Sequence, residues 1–145
     1  MVYLARLLPN NEFLGVDKVD APEGIRVTID LGERFPLVVA AKGKAYLTQL
    51  PEREARKLLE RHGLPAYTEH SITDVDTYLT ELRSVRHRGW ASSRREYYGG
   101  ASAIAATLRG TELFICSMGS EDRFPPARME ELGPRILDLA RVLEK

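Results

Sequence analysis

Ala101-Ser102-Ala103-Ile104-Ala105-Ala106-Thr107-Leu108, a turn around Gly110-Thr111, then Leu113-Phe114-Ile115-Cys116-Ser117-Met118-Gly119 is the stretch that decides the fold. Two short apolar runs rich in residues that suit strands flank a glycine turn, which reads as a β-hairpin. Upstream lies a block of helical periodicity. Thr73-Asp74-Val75-Asp76 has the Thr-x-x-acid form of a capping box, and Val75, Tyr78, Leu79, Leu82 and Val85 follow at helical spacing until Gly89. Before it, Pro51 with Glu52 and Glu54 opens a helix that closes at Gly63. Ala40 to Leu50 reads as another helix and carries Gly43, whose cost of ~1 kcal/mol relative to alanine calls for a local reason.

Farther out, the first part of the chain reads as strands again. Val2 to Leu8, the turn Pro9-Asn10-Asn11, Glu12 to Val19, and the alternating Ile25 to Ile29 make an antiparallel start, followed by the buried run Arg34 to Val39. Trp90 to Arg95 is a strand leading into the hairpin. After Pro125-Pro126, the residues Met129, Leu132, Ile136, Leu139, Ala140 and Leu143 trace one face of a last helix, which Gly133-Pro134 should kink or restart. Strands, helices, strands and a helix describe one α+β unit with a mainly antiparallel sheet flanked by helices, not alternating βαβ repeats.

The 145 residues suffice for one domain, 1–145, and 43% apolar with 29% charged residues is the composition of a chain that builds a core. Lys and Arg number 21, as do Asp and Glu, so the chain has no net positive field to attract nucleic acid. Met1 to Arg6 does not read as the start of a signal peptide, no apolar run is long enough to span a membrane, and a single cysteine, Cys116, fits a reducing compartment. A cytoplasmic location without membrane attachment is the expectation.

No reaction is named by these residues. His62, His70, His87 and Cys116 show no ligand spacing, so no metal is expected, and no cofactor fingerprint is present: Gly99-Gly100-Ala101 does not open a helix. Serine catalysis lacks its Gly-x-Ser-x-Gly elbow, and no acid or histidine apart from Glu96 is placed to act as a general base. The basic cluster Arg83, Arg86, His87, Arg88, Arg94 and Arg95 is interleaved with acids and reads as a solvated face or a subunit contact. The alanine face Ala101, Ala103, Ala105 leaves space above the sheet. Either a helix packs close there or a ligand cavity opens, and Ser117 and Gly119, sharing a face with Leu113 and Ile115, could offer one hydroxyl to such a cavity.

The order of residues resembles the IclR family of bacterial transcriptional regulators. The resemblance is carried by Gly32-Glu33-Arg34-Phe35-Pro36-Leu37, Ala41-Lys42-Gly43-Lys44-Ala45-Tyr46-Leu47, Leu64-Pro65-Ala66-Tyr67-Thr68, Ser71-Ile72-Thr73, and Leu79-Thr80-Glu81-Leu82 with Val85-Arg86-His87-Arg88-Gly89-Trp90-Ala91. Glu96 and the glycine of Glu96-Tyr97-Tyr98-Gly99-Gly100, Ala103 to Ala106, and Glu131-Leu132-Gly133-Pro134 with Ala140 extend it. It implies the family's C-terminal effector-binding domain: a GAF-like fold, not an enzyme, that binds a small organic acid and self-associates into dimers or dimer pairs. DNA would be read only by an N-terminal winged helix-turn-helix domain, for which there is no room before Val2, so the chain looks like a fragment or a domain without its reader.

Carried over residue by residue, the family's effector site falls on Ala41, Lys42, Ser93, Ala103, Ser117 and Gly119. Amides at the start of a helix, near Ala41 and Lys42, could hold a carboxylate. Ala40 stands where the family has a capping serine or threonine, while Ala41, Ala103 and Gly119 offer few hydrogen bonds. A larger, partly apolar or aromatic acid is therefore expected over a two- or three-carbon keto acid, and the Lys42 side chain could add a cation, although a lysine in a first helical turn is more often in solvent. The alternative is a structural oligomerisation module whose pocket has collapsed.

Overall fold

A computed structural model describes residues 1–20 and 28–144. The chain begins with the hairpin β1 (Val2–Leu7) and β2 (Glu12–Val19), whose connection places Asn11 at φ 63°, a left-handed conformation that asparagine tolerates. β3 (Arg34–Pro36) pairs antiparallel with β2, putting Phe35 opposite Phe13 in the core. The expected strand Ile25 to Ile29 lies for residues 25–27 outside the described residues, and Thr28 and Ile29 belong to no strand.

Three helices follow: α1 (Ala40–Leu47), α2 (Glu52–His62) and α3 (Val75–Arg88). α1 is shorter than its expected span to Leu50. Pro51 disfavours helical geometry at the residue before it, and Gln49 and Leu50 close the end with tight bonds to the carbonyls of Tyr46 and Leu47. The cap of α3 is also displaced from its expected place, because Asp74, not Thr73, is the residue whose side chain accepts from the Thr77 amide, at 2.9 Å. Asp76, the expected partner in a capping box, instead receives Arg56 at 2.7 Å. Gly89 ends α3 at φ 89°.

β4 (Ala91–Arg94), β5 (Ala101–Thr107) and β6 (Leu113–Ser120) complete an all-antiparallel sheet of order β3-β2-β1-β6-β5-β4, with β1 and β6 pairing at its centre. α1 covers one face, backed by α3 and α2, and α4 (Pro126–Leu143) covers the other. α4 runs through Pro134 as one helix, without the restart that the sequence offers as an alternative to a kink. Burial of Met129, Ile136 and Ala140 against the sheet holds it together despite the missing amide. Gly133 permits this, since a Cβ there would lie 2.1 Å from Cε2 of Trp90.

Candidate functional site

The alanine face is covered differently at the two ends of β5. At the Ala105 end the helix is close: Ala45 of α1 is buried beside it, and the Thr107 hydroxyl donates to the Ala45 carbonyl at 3.3 Å. Gly43 has its reason here, because an added Cβ would stand 2.5 Å from the Leu37 carbonyl oxygen and 2.9 Å from the Val38 carbonyl carbon. At the Ala101–Ala103 end a recess of about 310 Å3 opens instead, walled by Tyr3, Phe35, Lys42, Ser93, Tyr97 and Ala103 among others. Its enclosed heart has room for roughly one water molecule.

Lys42 is not in solvent. It is 2% exposed, and its Nζ lies 4.0 Å from the centre of the Phe35 ring and donates a long bond of 3.4 Å to the Tyr3 hydroxyl. Burial pulls the Lys42 amine down to about 8, against the opposing pull of Cys116 and Glu33. The same burial pushes the Cys116 thiol up to about 11 and the Tyr3 hydroxyl well above its ordinary value.

The rim is aromatic. Tyr97 meets Phe35, Tyr67 and Tyr98 at ring-centre distances of 6.4, 4.9 and 4.6 Å, and the Tyr98 hydroxyl donates to Glu33 at 2.9 Å, tying the 95–100 loop to the turn before β3. The loop's base is fixed by Lys44, which is 2% exposed and donates to the Ser92 carbonyl at 2.8 Å and to Glu96 at 3.0 Å. Glu96 is thereby engaged in an ion pair. A shallower recess on the other side of Ala40, walled by Val38, Tyr67, Tyr78 and Glu96, has a volume of about 280 Å3. Ala40 separates the two at φ 57°, a left-handed backbone held without glycine.

Of the residues singled out from sequence, Lys42, Ser93 and Ala103 line the recess, and Ala41 is buried beside them on α1. Ser117 and Gly119 are on the other face. Ala103 pairs with Met118, so the neighbours of Met118 in β6 point toward α4. There the Ser117 hydroxyl donates to the Met1 carbonyl at 3.2 Å, and a Cβ on Gly119 would lie 2.7 Å from the Phe124 ring. Tyr3, Phe35, Tyr97 and Tyr98 were not singled out. The one legible sign of them was the tyrosine pair between Glu96 and Gly99.

The arginines of the basic cluster are engaged in intramolecular bonds. Arg83 pairs with Glu52 at 2.7 Å, Arg86 donates to the carbonyls of Thr48 and Leu50, Arg88 to those of Trp90 and to the Ser92 hydroxyl, and Arg95 meets Glu121 at 3.4 Å. Among the described residues no three of His, Cys, Asp and Glu gather where they could hold a metal ion, and no helix is long and apolar enough to cross a membrane.

A curled antiparallel sheet with helices on both faces is a GAF-like fold. Residues 1–143 match the family model described as the C-terminal domain of the bacterial transcriptional regulator IclR, and the chain belongs to that family, whose members are regulators and not enzymes. It is 41% identical over 104 residues to the HTH-type transcriptional regulator Rv1719 of Mycobacterium tuberculosis, covering 71% of this chain and 39% of that protein. To the transcriptional repressor IclR of Escherichia coli K12 it is 28% identical, over 91% of this chain and 50% of the repressor. The chain thus spans half or less of the length of these two relatives. Among solved structures, the inducer-binding domain of a double mutant of the Acinetobacter transcription factor PobR, in complex with 3-hydroxybenzoic acid, superposes with a TM-score of 0.84 at 26% identity, over 99% of this chain and 87% of that one.

Proposed function

We infer that this domain senses a small organic acid for a bacterial transcriptional regulator, binding it in the recess between α1, β4, β5 and the 95–100 loop. The observation that carries this reading is the buried lysine in an aromatic-walled recess under the first helix. An ammonium suits a carboxylate, and Phe35, Tyr97 and Tyr98 suit an apolar or aromatic body better than a two- or three-carbon keto acid. The PobR domain, of the same fold, is a complex with an aromatic acid, which favours the same class here. The effector site comprises Ala41, Lys42, Ser93 and Ala103, while Ser117 and Gly119 lie on the α4 face of the sheet.

In the full regulator an N-terminal domain reads DNA, the effector domains associate as dimers or dimer pairs, and the protein works in the cytoplasm without a membrane. Self-association follows from the need to couple ligand binding to the spacing of paired DNA readers. Sedimentation at micromolar concentration tests it, a strict monomer of 16.3 kDa counting against it.

The test of sensing is calorimetry of the chain against benzoate, 3-hydroxybenzoate, phenylacetate and pyruvate, with Ala103→Phe as the blocked variant. An acid that binds the parent and not a folded Ala103→Phe supports the recess. A second reading is favoured by the small enclosed heart of the recess: a structural module that only associates. A ligand at 100 times its Kd adds about 2.7 kcal/mol to stability, so a melting temperature unmoved by every acid in the panel selects that second reading.

A further inference from the structure

Lys42 and Lys44 lie two residues apart on α1, roughly 200° around the helix from each other, and both are buried to 2% exposure, yet the fold treats them differently. Lys44 has the Ser92 carbonyl at 2.8 Å, Glu96 at 3.0 Å and Glu81 at 3.7 Å. Its charge is answered within the protein. Lys42 has the Tyr3 hydroxyl at 3.4 Å, and among the described residues no carboxylate lies within ion-pair distance of it. Its other neighbours are ring faces, Phe35 at 4.0 Å, Tyr3 at 5.8 Å and Phe13 at 6.0 Å from their centres. Rings soften the loss of water around an ammonium without replacing the hydrogen bonds, so N–H donors are left unused beside the recess. A leucine or methionine would fill this place at lower cost.

Ser93 supplies an independent sign. It is 3% exposed, lines the same recess from β4, and its hydroxyl makes no hydrogen bond with another described residue. A buried donor cation and the hydroxyl of a buried serine thus converge on one small space whose other walls are largely apolar or aromatic, with Phe35, Ala103, Met118 and the rings of Tyr3, Tyr97 and Tyr98 among them.

Resting on the reading of this recess as the effector site, we propose that Lys42 is its charge-selecting residue: Nζ pairs with the carboxylate of a monoanionic acid, the Ser93 hydroxyl donates a second bond, and the aromatic walls hold an apolar body. A neutral amide of the same shape leaves the ammonium unanswered. A dianion brings a second charge that the apolar walls do not solvate.

The arrangement also makes affinity depend on pH. The titratable groups facing Lys42 are Tyr3 from β1, Cys116 from β6 and Glu33 from the turn before β3, with Tyr98 of the 95–100 loop bonded to Glu33. Burial brings Lys42 to about 8 and moves Cys116 to about 11 and Tyr3 upward, so of Lys42, Cys116 and Tyr3 it is Lys42 that changes charge between neutral and mildly basic pH. Anion binding therefore weakens as the amine loses its proton.

The test is calorimetric titration of the chain with benzoate and with benzamide, its neutral counterpart, near neutral pH and two pH units higher. The parent is expected to bind benzoate about ten to a hundred times more tightly than benzamide, and about tenfold more weakly at the higher pH. Lys42→Met should bind both alike and weakly at either pH. Lys42→Arg keeps its charge throughout and should retain the preference while losing the pH dependence. A folded Lys42→Met that binds benzoate as tightly as the parent overturns the proposal, and if Ala103→Phe still abolishes that binding the recess remains the effector site. If pyruvate alone of the acid panel binds, sensing stands and this ligand class falls; if no acid binds, both fall.

Discussion

The two faces of β5 both carry small side chains but are covered differently. Toward α4, Ser102, Ile104 and Ala106 lie under a helix so close that Gly133 meets the Trp90 ring, and Ser102 is 1% exposed. Toward α1, Ala101 and Ala103 look into a recess, while Ala105, one pleat farther, is closed over by Ala45. Small residues thus signal room above a sheet without telling what fills it. What decides is the helix: Gly43 lets α1 sink against the segment 37–38 at one end, and Phe35, Tyr97 and Tyr98 prop the space open at the other.

The largest way to break this contrast is to enlarge the alanines in turn. Ala105→Phe has no space beneath α1 and should cost ~3 kcal/mol or more, whereas Ala103→Phe enters the recess and should cost ~1 kcal/mol, the low end of overpacking. Chemical denaturation of the two variants side by side decides. Equal losses would mean that the recess is as rigid as the core. Gly43→Ala is next, with an expected loss of ~2 to 3 kcal/mol, because the added Cβ meets backbone atoms at 2.5 and 2.9 Å that no side-chain rotation relieves. An unchanged melting temperature would show that α1 can shift outward.

How much of this was legible follows from what each signal measures. Periodicity reports which residues of an element share a side, so the strand and helix order, and the common side of Ser117 with Ile115, could be read from the sequence. It does not report which layer covers that side. Only the pairing of Ala103 with Met118 puts Ser117 under α4, and pairing between strands is a long-range fact. Lys42 was misjudged for a related reason: a lysine in a first helical turn is ordinarily at the surface, and nothing nearby in sequence shows that α1 is covered on both sides. Asp74 displaced Thr73 as the cap of α3 because both residues can cap, and adjacent candidates are separated only by the backbone.

Lys42 offers a further, smaller handle on the recess side. Its folded value near 8 lies below the ordinary 10.5, so between those values the unfolded chain holds more protons and stability rises with pH. Relative to Lys42→Met, the parent should gain roughly 1 kcal/mol between about pH 8 and pH 9. Below that window both states keep the proton and the difference is flat. Cys116, raised from 9.0 to about 11, acts in the opposite direction at higher pH, so the comparison with Lys42→Met is needed to isolate the lysine. Thermal denaturation across this range with no difference in slope between the two proteins would place the amine in a more hydrated setting than the recess provides.

The smallest effect is the one that separates the two faces most cleanly, since it uses the same substitution on each. Ser102 borders the recess too, but strand alternation turns its Oγ to the α4 face, where it is buried without a partner among the described residues, whereas Ser93, opposite Ala103, faces the recess. A hydroxyl held out of water with nothing to bond is destabilising, so removing it in Ser102→Ala lifts a desolvation cost while leaving a void only one oxygen wide. The expected gain is up to ~1 kcal/mol, with no change in acid binding. Ser93→Ala removes a hydroxyl whose use, on the proposal above, comes with the ligand. It should leave the melting temperature of the free domain nearly unchanged and weaken acid binding by about three- to tenfold, the value of one ordinary hydrogen bond. Melting curves of both variants with and without benzoate read both quantities at once. Should Ser102→Ala destabilise, its hydroxyl has a partner in solution that the α4 layer supplies; should Ser93→Ala behave like Ser102→Ala, the two faces are alike and the recess is ordinary core.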